Sequence, residues 1–399
     1  MDDATANGNG GYDDRTIGRR LRNVRKSRRK SMRVIAGLAG ISASTLCRIE
    51  NGKQALDSQK LVVALANALR VAPSELASLP VPAPANGNTD SAIQAVRRAL
   101  TAASAGWPDG VVQPVERLRQ RFETMSSGDF NGYRVALPGL IADVYTTLAQ
   151  RRDMAELLPL AIRLLSGSNG RILQAAGAPI DLRGQNVVLA RMLAEELGDP
   201  TMLGVVARDA AIVMFGSGMF DLARNTLNAT SVPTDSSQGM QLNGILALER
   251  SLVEAVDGHH AESIAALEHA AELAAHTGEG DAFTMGFGPV SVGLWRMAAA
   301  LEYDEPDEAI RVARTVDPRQ HSYPSLRATY WLDYGRALTR AGRRDDAARA
   351  LLRAERLHKT LTLRNPFIRD TLAELVAHSK DDAPGRDIRG MAYRAGLPV

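Results

Sequence analysis

The sequence is poor in several residue types, and each scarcity excludes a class of protein. It holds one cysteine, Cys47, so it can form no internal disulfide, no thiol-pair redox motif and no cysteine zinc cluster. It has no run of about 18 apolar residues, and its N-terminus lacks the basic-then-apolar pattern of a signal sequence. We therefore expect no membrane span, and a reducing cytoplasm as the compartment.

Motifs that carry enzyme chemistry are also missing. The sequence has no phosphate-binding Gly-x-x-x-x-Gly-Lys, no nucleophile elbow and no His-Glu-x-x-His. The stretch Gly286-Phe-Gly288 runs into Pro289 and follows no strand, so it does not fit a dinucleotide-binding loop. The adjacent His259 and His260 are better explained as solvated side chains than as metal ligands. We expect no enzymatic activity, no cofactor and no metal.

The charge of the chain is unevenly distributed. The 399 residues include 45% hydrophobic and 23% charged residues, an ordinary globular composition with room for two or three domains. The formal net charge is +3, but residues 13–80 carry 14 Lys or Arg against 5 Asp or Glu, a net +9, which leaves −6 for the rest. A basic module joined to a mildly acidic body predicts a polyanion as partner of the first. On charge alone, a solvated basic face is the alternative.

The N-terminal region has the pattern of a disordered tail followed by short helices. Residues 1–13 are rich in Asn, Gly and Asp and cannot bury enough apolar surface to fold. Beyond them, Ser31 and Ser42 are suited to cap two helices, and Gly40 between those helices can adopt the positive φ of a tight turn. The predicted helices within residues 14–79 include Met32–Ala39, Ala43–Asn51, Asp57–Leu69 and Ser74–Leu79.

The segment Ser31–Gly52 resembles the helix-turn-helix of the lambda-repressor and Cro family, also called XRE. The residues that match its pattern are Ala36, Gly40, Ile41, Ser42, Leu46, Ile49, Glu50, Asn51 and Gly52. The resemblance covers roughly residues 14–79, with departures at Met32, where the family often has glutamine, and at the small Ala43 and Ser44. It implies that the first helix crosses the DNA backbone while the second enters the major groove.

Spacing around the second helix leaves Ser44, Thr45, Cys47 and Arg48 facing outward. Only Arg48 among them can pair with guanine O6 and N7 through two hydrogen bonds, and a phosphate contact is its alternative role. Cys47 could be an oxidation-sensitive position, although a small residue filling an interface is the simpler interpretation. The ending Glu50-Asn51-Gly52 is expected to be structural. The residues predicted to contact DNA are Arg19, Arg25, Met32, Arg33, Ser42, Ala43, Ser44, Thr45, Cys47 and Arg48.

The rest of the chain is predicted to be a linker and a helical body. Residues 80–89 contain three prolines, so we expect neither helix nor strand there. Residues 90–399 alternate helical stretches with short breaks and resemble a tetratricopeptide-like α-solenoid, with Trp331, Gly335, Ala347 and Ala354 in matching places. Equivalent small residues occur at positions 223, 263, 309 and 347, more widely spaced than in the standard repeat. An unrelated helical bundle is the alternative. The predicted fold class is therefore all-α.

The architecture resembles two groups of regulators: actinobacterial XRE regulators of this length, and the peptide-sensing quorum regulators called RRNPP. Stacked helix pairs form a concave surface suited to a peptide or a small molecule. Aromatic and polar residues are concentrated in the C-terminal half, although aromatics at helical spacing usually pack helices together. The residues predicted to bind an effector are Asn243, Phe287, Trp295, Arg296, Arg327, Tyr330 and Trp331.

Together these features favour a transcriptional regulator that binds double-stranded DNA. One short recognition helix reads few bases, so we expect a homodimer on a near-palindromic operator. The effector is expected to be a peptide or a small molecule bound by the helical body, which would also dimerise. The alternative is an interaction protein whose repeats dock a partner protein while DNA binding localises it.

Overall fold

The computed structural model describes residues 17–69, 71, 76, 87–127, 130–166, 173, 178–380 and 382–397. Over these ranges the chain is α-helical, without a strand, apart from one isolated β-bridge between Gly280 and Phe287. The predicted all-α class is confirmed. The helices are Ile17–Ser27 (α1), Met32–Leu38 (α2), Ala43–Glu50 (α3), Gln59–Leu69 (α4), Gly87–Ser104 (α5), Val115–Ser127 (α6), Phe130–Leu148 (α7), Met154–Leu165 (α8), Ile180–Leu197 (α9), Pro200–Gly216 (α10), Phe220–Ala229 (α11), Ser237–Asp257 (α12), His260–Thr277 (α13), Pro289–Glu302 (α14), Pro306–Ala313 (α15), Pro324–Arg340 (α16), Arg344–Leu357 (α17), Lys359–Arg364 (α18), Pro366–Ala377 (α19) and Ala383–Arg394 (α20).

The chain divides into two compact units. The small unit combines the helices that precede Ala83 with the segment Leu363–Val399, and the large unit is Pro84–Thr362. The chain therefore passes from one unit to the other twice, first at Ala83–Pro84 and again within α18. This differs from the expected single domain over residues 90–399, because its last two long helices belong to the small unit.

The small unit is built around helices whose ends are fixed by the residues that the sequence indicates. Ser31 Oγ accepts a hydrogen bond from Val34 N at 3.3 Å, and Ser42 Oγ accepts one from Thr45 N at 3.0 Å. Gly40 has φ +74°, which a residue with a Cβ adopts only under strain. The core consists mainly of aliphatic side chains that are fully or almost fully buried: Ile17, Leu21, Ile35, Leu46, Ile49, Leu56, Val62, Leu65 and Leu69.

Helix α19 is joined to this core by side chains that bind backbone groups at the start of α1 and in the loop between α3 and α4. Asp370 Oδ1 accepts a hydrogen bond from Ile17 N at 2.9 Å, and Oδ2 accepts one from Leu56 N at 2.8 Å. Glu374 Oε2 accepts another from Ala55 N at 2.7 Å. Phe367 packs against the apolar core of the small unit. These contacts are the physical reason why residues after Leu363 fold with the N-terminus.

Several expected boundaries shift or lie outside the described residues. Helix α4 begins at Gln59 rather than at Asp57, and α5 begins at Gly87, inside the expected linker 80–89. The three linker prolines all precede Gly87, so nothing in the sequence from that position prevents a helix. The expected tail 1–13, residues 80–86 and most of the expected helix Ser74–Leu79 lie outside the described residues.

The second half of the large unit is a series of helix pairs, α10 with α11, α12 with α13, α14 with α15 and α16 with α17. Each second helix carries a fully buried small residue: Ala223, Ser263, Ala309 and Ala347. At Gly335 an added Cβ would lie 2.6 Å from Leu351 Cδ2, so α16 and α17 are in close contact. The small residues thus make tight pairing possible, and the body is helical-repeat-like.

Among the described helices, no single one combines the length and apolar composition of a membrane span. The pair α2 and α3 reaches that composition only when the two are counted together across their 108° bend.

Candidate nucleic-acid interface

Helix α3 is positioned by a turn and a core of the helix-turn-helix type. The axes of α2 and α3 differ in direction by 108°, within the range of this motif, and Gly40 lies in the connecting turn. Leu46 and Ile49 point into the core, as the spacing predicts. The opposite face carries the residues predicted to face DNA: Ala43, Ser44 and Arg48 are exposed, and Thr45 and Cys47 are half-buried.

Arg48 is the one long cationic side chain on this face of α3. It is exposed, and it makes no hydrogen bond or ion pair with any residue that the structure describes. Its guanidinium therefore keeps its five donors for an external partner, and a planar fork of donors matches guanine O6 and N7 or a phosphate.

Several other polar atoms at the start and end of α3 are used within the protein. The hydroxyls of Ser42 and Thr45 are hydrogen-bonded to each other at 2.9 Å. Asn51 Nδ2 donates to the carbonyl oxygen of Cys47 at 2.8 Å and lies 3.3 Å from its Sγ. Cys47 is thus in contact with the C-terminal cap of its own helix. These contacts hold the ends of α3 in place and leave the middle of its outer face open.

Arg25 was expected at the DNA backbone, and the structure corrects this expectation. Its side chain is buried, and its Nε and Nη2 atoms each lie 2.6 Å from a carboxylate oxygen of Glu50. A third donor, Nη1, reaches the carbonyl oxygen of Lys30 at 2.9 Å. The hydrogen bonds that Arg25 donates to Glu50 raise the pKa of Arg25 above its ordinary value. Arg25 therefore fixes α1 to the end of α3, and Glu50 has the structural role that the sequence suggests.

Arg33 and Met32 differ in how far they are available to DNA. Arg33 is exposed at the start of α2, without a bond to any described residue, whereas Met32 is half-buried and packs on the core. Arg19 is half-buried and interacts within the protein.

Lys53 was not among the residues predicted to contact DNA. It is exposed directly after the Gly52 turn that ends α3. The only feature of the sequence that indicated it was a positive charge next to that turn. Further exposed cations of this region are Lys26, Arg28, Arg29 and Lys30.

The residues expected to bind an effector are mostly packed into helix interfaces. Phe287 is fully buried and fills the space that Gly244 leaves open, since a Cβ there would lie 2.0 Å from its ring. The buried Tyr330 donates its hydroxyl to Ala313 O at 2.9 Å. Asn243 Nδ2 donates to the carbonyl oxygens of Val232 and Gly239, each at 3.0 Å. These residues stabilise the body, and the expectation that they line a binding surface is corrected.

The two predicted tryptophans and Arg327 are also engaged in packing. Trp295 and Trp331 are half-buried against one apolar cluster, and the guanidinium of Arg353 stacks on Trp331 at 4.4 Å from the ring centre. Arg327 Nη2 donates to Ser322 O at 3.3 Å.

Arg296 is the exception, because it lines a groove of about 850 Å³. The groove runs between α13, α14 and the segment from α15 to Gln320, all within the large unit. Ile264, Leu267, Val312 and Val316 contribute apolar surface. The sequence indicated Arg296 through its position on a helix next to aromatic residues. Nothing in the sequence indicated the groove itself.

A serine–histidine pair in the body lacks the proton arrangement of a catalytic pair. Ser291 Oγ lies 3.3 Å from Nε2 of the buried His321. The other ring nitrogen, Nδ1, accepts a hydrogen bond from Tyr323 N at 3.2 Å. A neutral ring then carries its proton on Nε2 and cannot take one from Ser291. Ser291 itself donates to Gly286 O at 3.1 Å, so the pair fixes the 280–291 loop.

Comparison with known families supports the interpretation of the N-terminal region. Residues 16–79 match a family model described as a helix-turn-helix domain. A comparison of the whole chain with curated proteins and with solved structures found no match. The matched domain, together with the exposed outer face of α3, supports a helix-turn-helix DNA-binding regulator rather than an enzyme.

Proposed function

We propose that this protein is a sequence-specific transcriptional regulator of the XRE type, which reads DNA with the outer face of α3. The observation that carries the proposal is Arg48, an exposed and unpaired guanidinium on that face among the described residues. The capped ends of α3 and the ion pair between Arg25 and Glu50 hold the helix in one orientation. A helix held in one orientation presents Arg48 at a fixed position on its outer face, which favours recognition of bases over diffuse attraction to phosphate.

The regulator acts as a homodimer on a near-palindromic operator. The outer face of α3 offers few side chains for base contacts, and a two-fold dimer doubles the bases read. The half-sites should lie about one helical turn, roughly 34 Å, or a multiple of that distance apart. The exposed cations Arg33 and Lys53 contribute contacts to phosphate that set position without reading sequence.

Control by a ligand in the large unit requires a route to the helix-turn-helix, and chain connectivity supplies one. The first connection, at Ala83–Pro84, lies in a proline-rich stretch, while the second lies within α18 and leads directly to α19. Asp370 of α19 then binds backbone atoms of Ile17 and Leu56. A change in the large unit can therefore bias the small unit through a helix, provided that the ligand prefers one of two arrangements.

A second function, docking of a partner protein, is favoured by one exposed patch of the large unit. Trp107 is 83% exposed, and Val111 and Val112 of the same loop are 63% and 51% exposed. A tryptophan this exposed is a typical anchor of protein interfaces. A stable heterocomplex that is lost on Trp107→Ala while DNA binding persists would support this alternative.

Selection from a random DNA pool with the full chain tests the main proposal. We expect enrichment of one sequence with two related half-sites, and protection of both in a footprint. An enriched sequence that contains a single half-site would refute the dimeric arrangement. Failure to enrich any sequence would refute sequence-specific recognition.

A further inference from the structure

The groove that contains Arg296 has a floor made of small residues. Helix α14 forms this floor and contributes Gly293, Ala299 and Ala300 to it. An added Cβ on Gly293 would lie 2.3 Å from Val316 Cγ2, so the loop after α15 comes directly against α14 there. The walls carry Ile264, which is 48% exposed, and the less accessible Leu267. With a volume of about 850 Å³, the groove has the size of small-molecule sites, and charged side chains lie beside these apolar ones.

Arg296 is the one charged side chain that α14 presents to this groove. It lies between Gly293 and Ala300, three and four residues away, which places all three on the same face of the helix. No described residue forms a hydrogen bond or ion pair with its guanidinium. The floor thus combines small apolar residues with a single available cation.

The remaining charges of the groove limit what anion can enter. Arg311 is paired with Glu308 through contacts of 2.7 and 2.5 Å, and Asp317 is paired with Arg319 at 2.9 Å. Two further carboxylates of the lining, Glu268 and Glu305, are exposed and make no ion pair with any described residue. Because carboxylates outnumber cations along the groove, a molecule with several negative charges is repelled. A single negative charge placed at Arg296 is favoured.

From these observations we propose that the groove binds an apolar molecule with one carboxylate, which pairs with Arg296. The residues from Arg296 to Tyr303 at the end of α14 span about 10 Å at 1.5 Å per residue. At that end, Tyr303 stacks on His260 with ring centres 4.1 Å apart, and both residues line the groove. An apolar body of about 10 Å therefore fits between the guanidinium and the ring pair. A medium-chain fatty acid has these properties.

The inference rests on the proposed function only for its regulatory meaning, since binding is measured without DNA. Calorimetry of the full chain uses decanoate below its micelle concentration, with decylamine as the probe of opposite charge and decyl phosphate as the dianionic one. We expect saturable binding of decanoate, and affinities for the other two probes at least tenfold lower. Absence of decanoate binding, or equal or tighter binding of decylamine or decyl phosphate, would overturn the proposal.

Variants of the groove test the role of Arg296 separately from folding. Arg296→Ala should weaken decanoate binding at least tenfold, Arg296→Lys should weaken it less, and each should keep the melting temperature because Arg296 is exposed. Arg311→Ala is the matched control, since that cation lines the same groove but is already paired. An equal loss of decanoate affinity in the control, or no loss in Arg296→Ala, would overturn the proposal. It would also be overturned by a short apolar peptide that displaces decanoate and binds independently of Arg296. Operator affinity with and without decanoate then tests only whether the ligand controls DNA binding. Failure of the binding proposal and failure of the regulatory proposal are therefore distinguished by different measurements.

Discussion

Arg25 of α1 and Glu50 at the end of α3 form a bidentate ion pair inside the small unit, with two nitrogen–oxygen distances of 2.6 Å. Only 11% and 3% of their side-chain surfaces are exposed. The pair links the helix that precedes the helix-turn-helix to the C-terminal end of the helix proposed to read DNA. Of the many arginines in this region, Arg25 thus has a structural partner inside the fold.

Removing one partner of this pair should destabilise the small unit strongly. Arg25→Ala leaves a buried carboxylate without compensation, which typically costs about 3–5 kcal/mol. Hydrogen exchange of the full chain should show faster exchange of α1 and α3 amides, with those of α12 and α13 unchanged. Arg22→Ala is the matched control on the same helix, because the Arg22–Asn51 hydrogen bond is exposed. Exchange rates in Arg25→Ala that match those of the control would contradict the assignment.

The buried carboxyl of Asp370 should make the small unit less stable as the pH rises. Burial raises its pKa to about 7 in the folded protein, while the unfolded chain titrates near 3.8. Its stabilising contribution is therefore complete below pH 3.8 and is lost as the pH rises to 7, by at most about 1.4 kcal/mol per pH unit. We expect the protection of α1 amides to fall across this range in the native chain.

Asp370→Asn should remove that pH dependence and lower stability at acidic pH, because one of the two acceptors at Ile17 N and Leu56 N is lost. Glu374→Gln is the control, since it keeps an acceptor for Ala55 N and leaves Asp370 intact. An identical pH slope in Asp370→Asn and in the native chain would show that another group titrates.

Phe287 should behave as a core residue of the large unit. Phe287→Ala leaves a cavity against Gly244 and should cost about 3–5 kcal/mol. Phe283→Ala, four residues earlier at a half-buried position, should cost clearly less. The melting temperature of the full chain, and the hydrogen-exchange rates of α12 and α14 amides in the folded state, compare the stability of the two variants. If both variants had the stability of the native chain, Phe287 would be free for another role.

The helix-turn-helix could be predicted in detail because its determinants are local. Ser31, Gly40 and Ser42 act within four residues of the backbone groups that they bind or position, and Leu46 and Ile49 follow helical spacing. Interactions of this kind are encoded in adjacent residues, so a single sequence is enough to identify them.

What the sequence left open depends on contacts between distant positions. The hydrogen bond from Ile17 N to the Asp370 carboxylate spans 353 residues, and no periodicity in either segment indicates it. Arg25 lies among several other cations, and only the tertiary position of Glu50 distinguishes it from them. The aromatic residues near Phe287 are compatible with a core or with a pocket, and the decision depends on Gly244, 43 positions earlier.

Arg33 should contribute to DNA affinity without contributing to sequence preference. Its exposed side chain at the start of α2 is suited to phosphate. Arg33→Ala should weaken specific and random DNA equally and reduce the slope of log affinity against log salt by about one. Titrations at several salt concentrations measure this slope. A larger loss on the specific site than on random DNA would assign Arg33 a role in base recognition.

The most direct test of the account compares Arg48→Ala with the native chain on the selected operator and on a scrambled sequence of equal length, at one salt concentration. We predict that the native protein prefers the operator by at least about a thousandfold. Arg48→Ala should lose about 1–3 kcal/mol on the operator and little on the scrambled DNA. Equal losses on both sequences would show that Arg48 contacts phosphate only, and would contradict the claim that the outer face of α3 reads sequence through this residue.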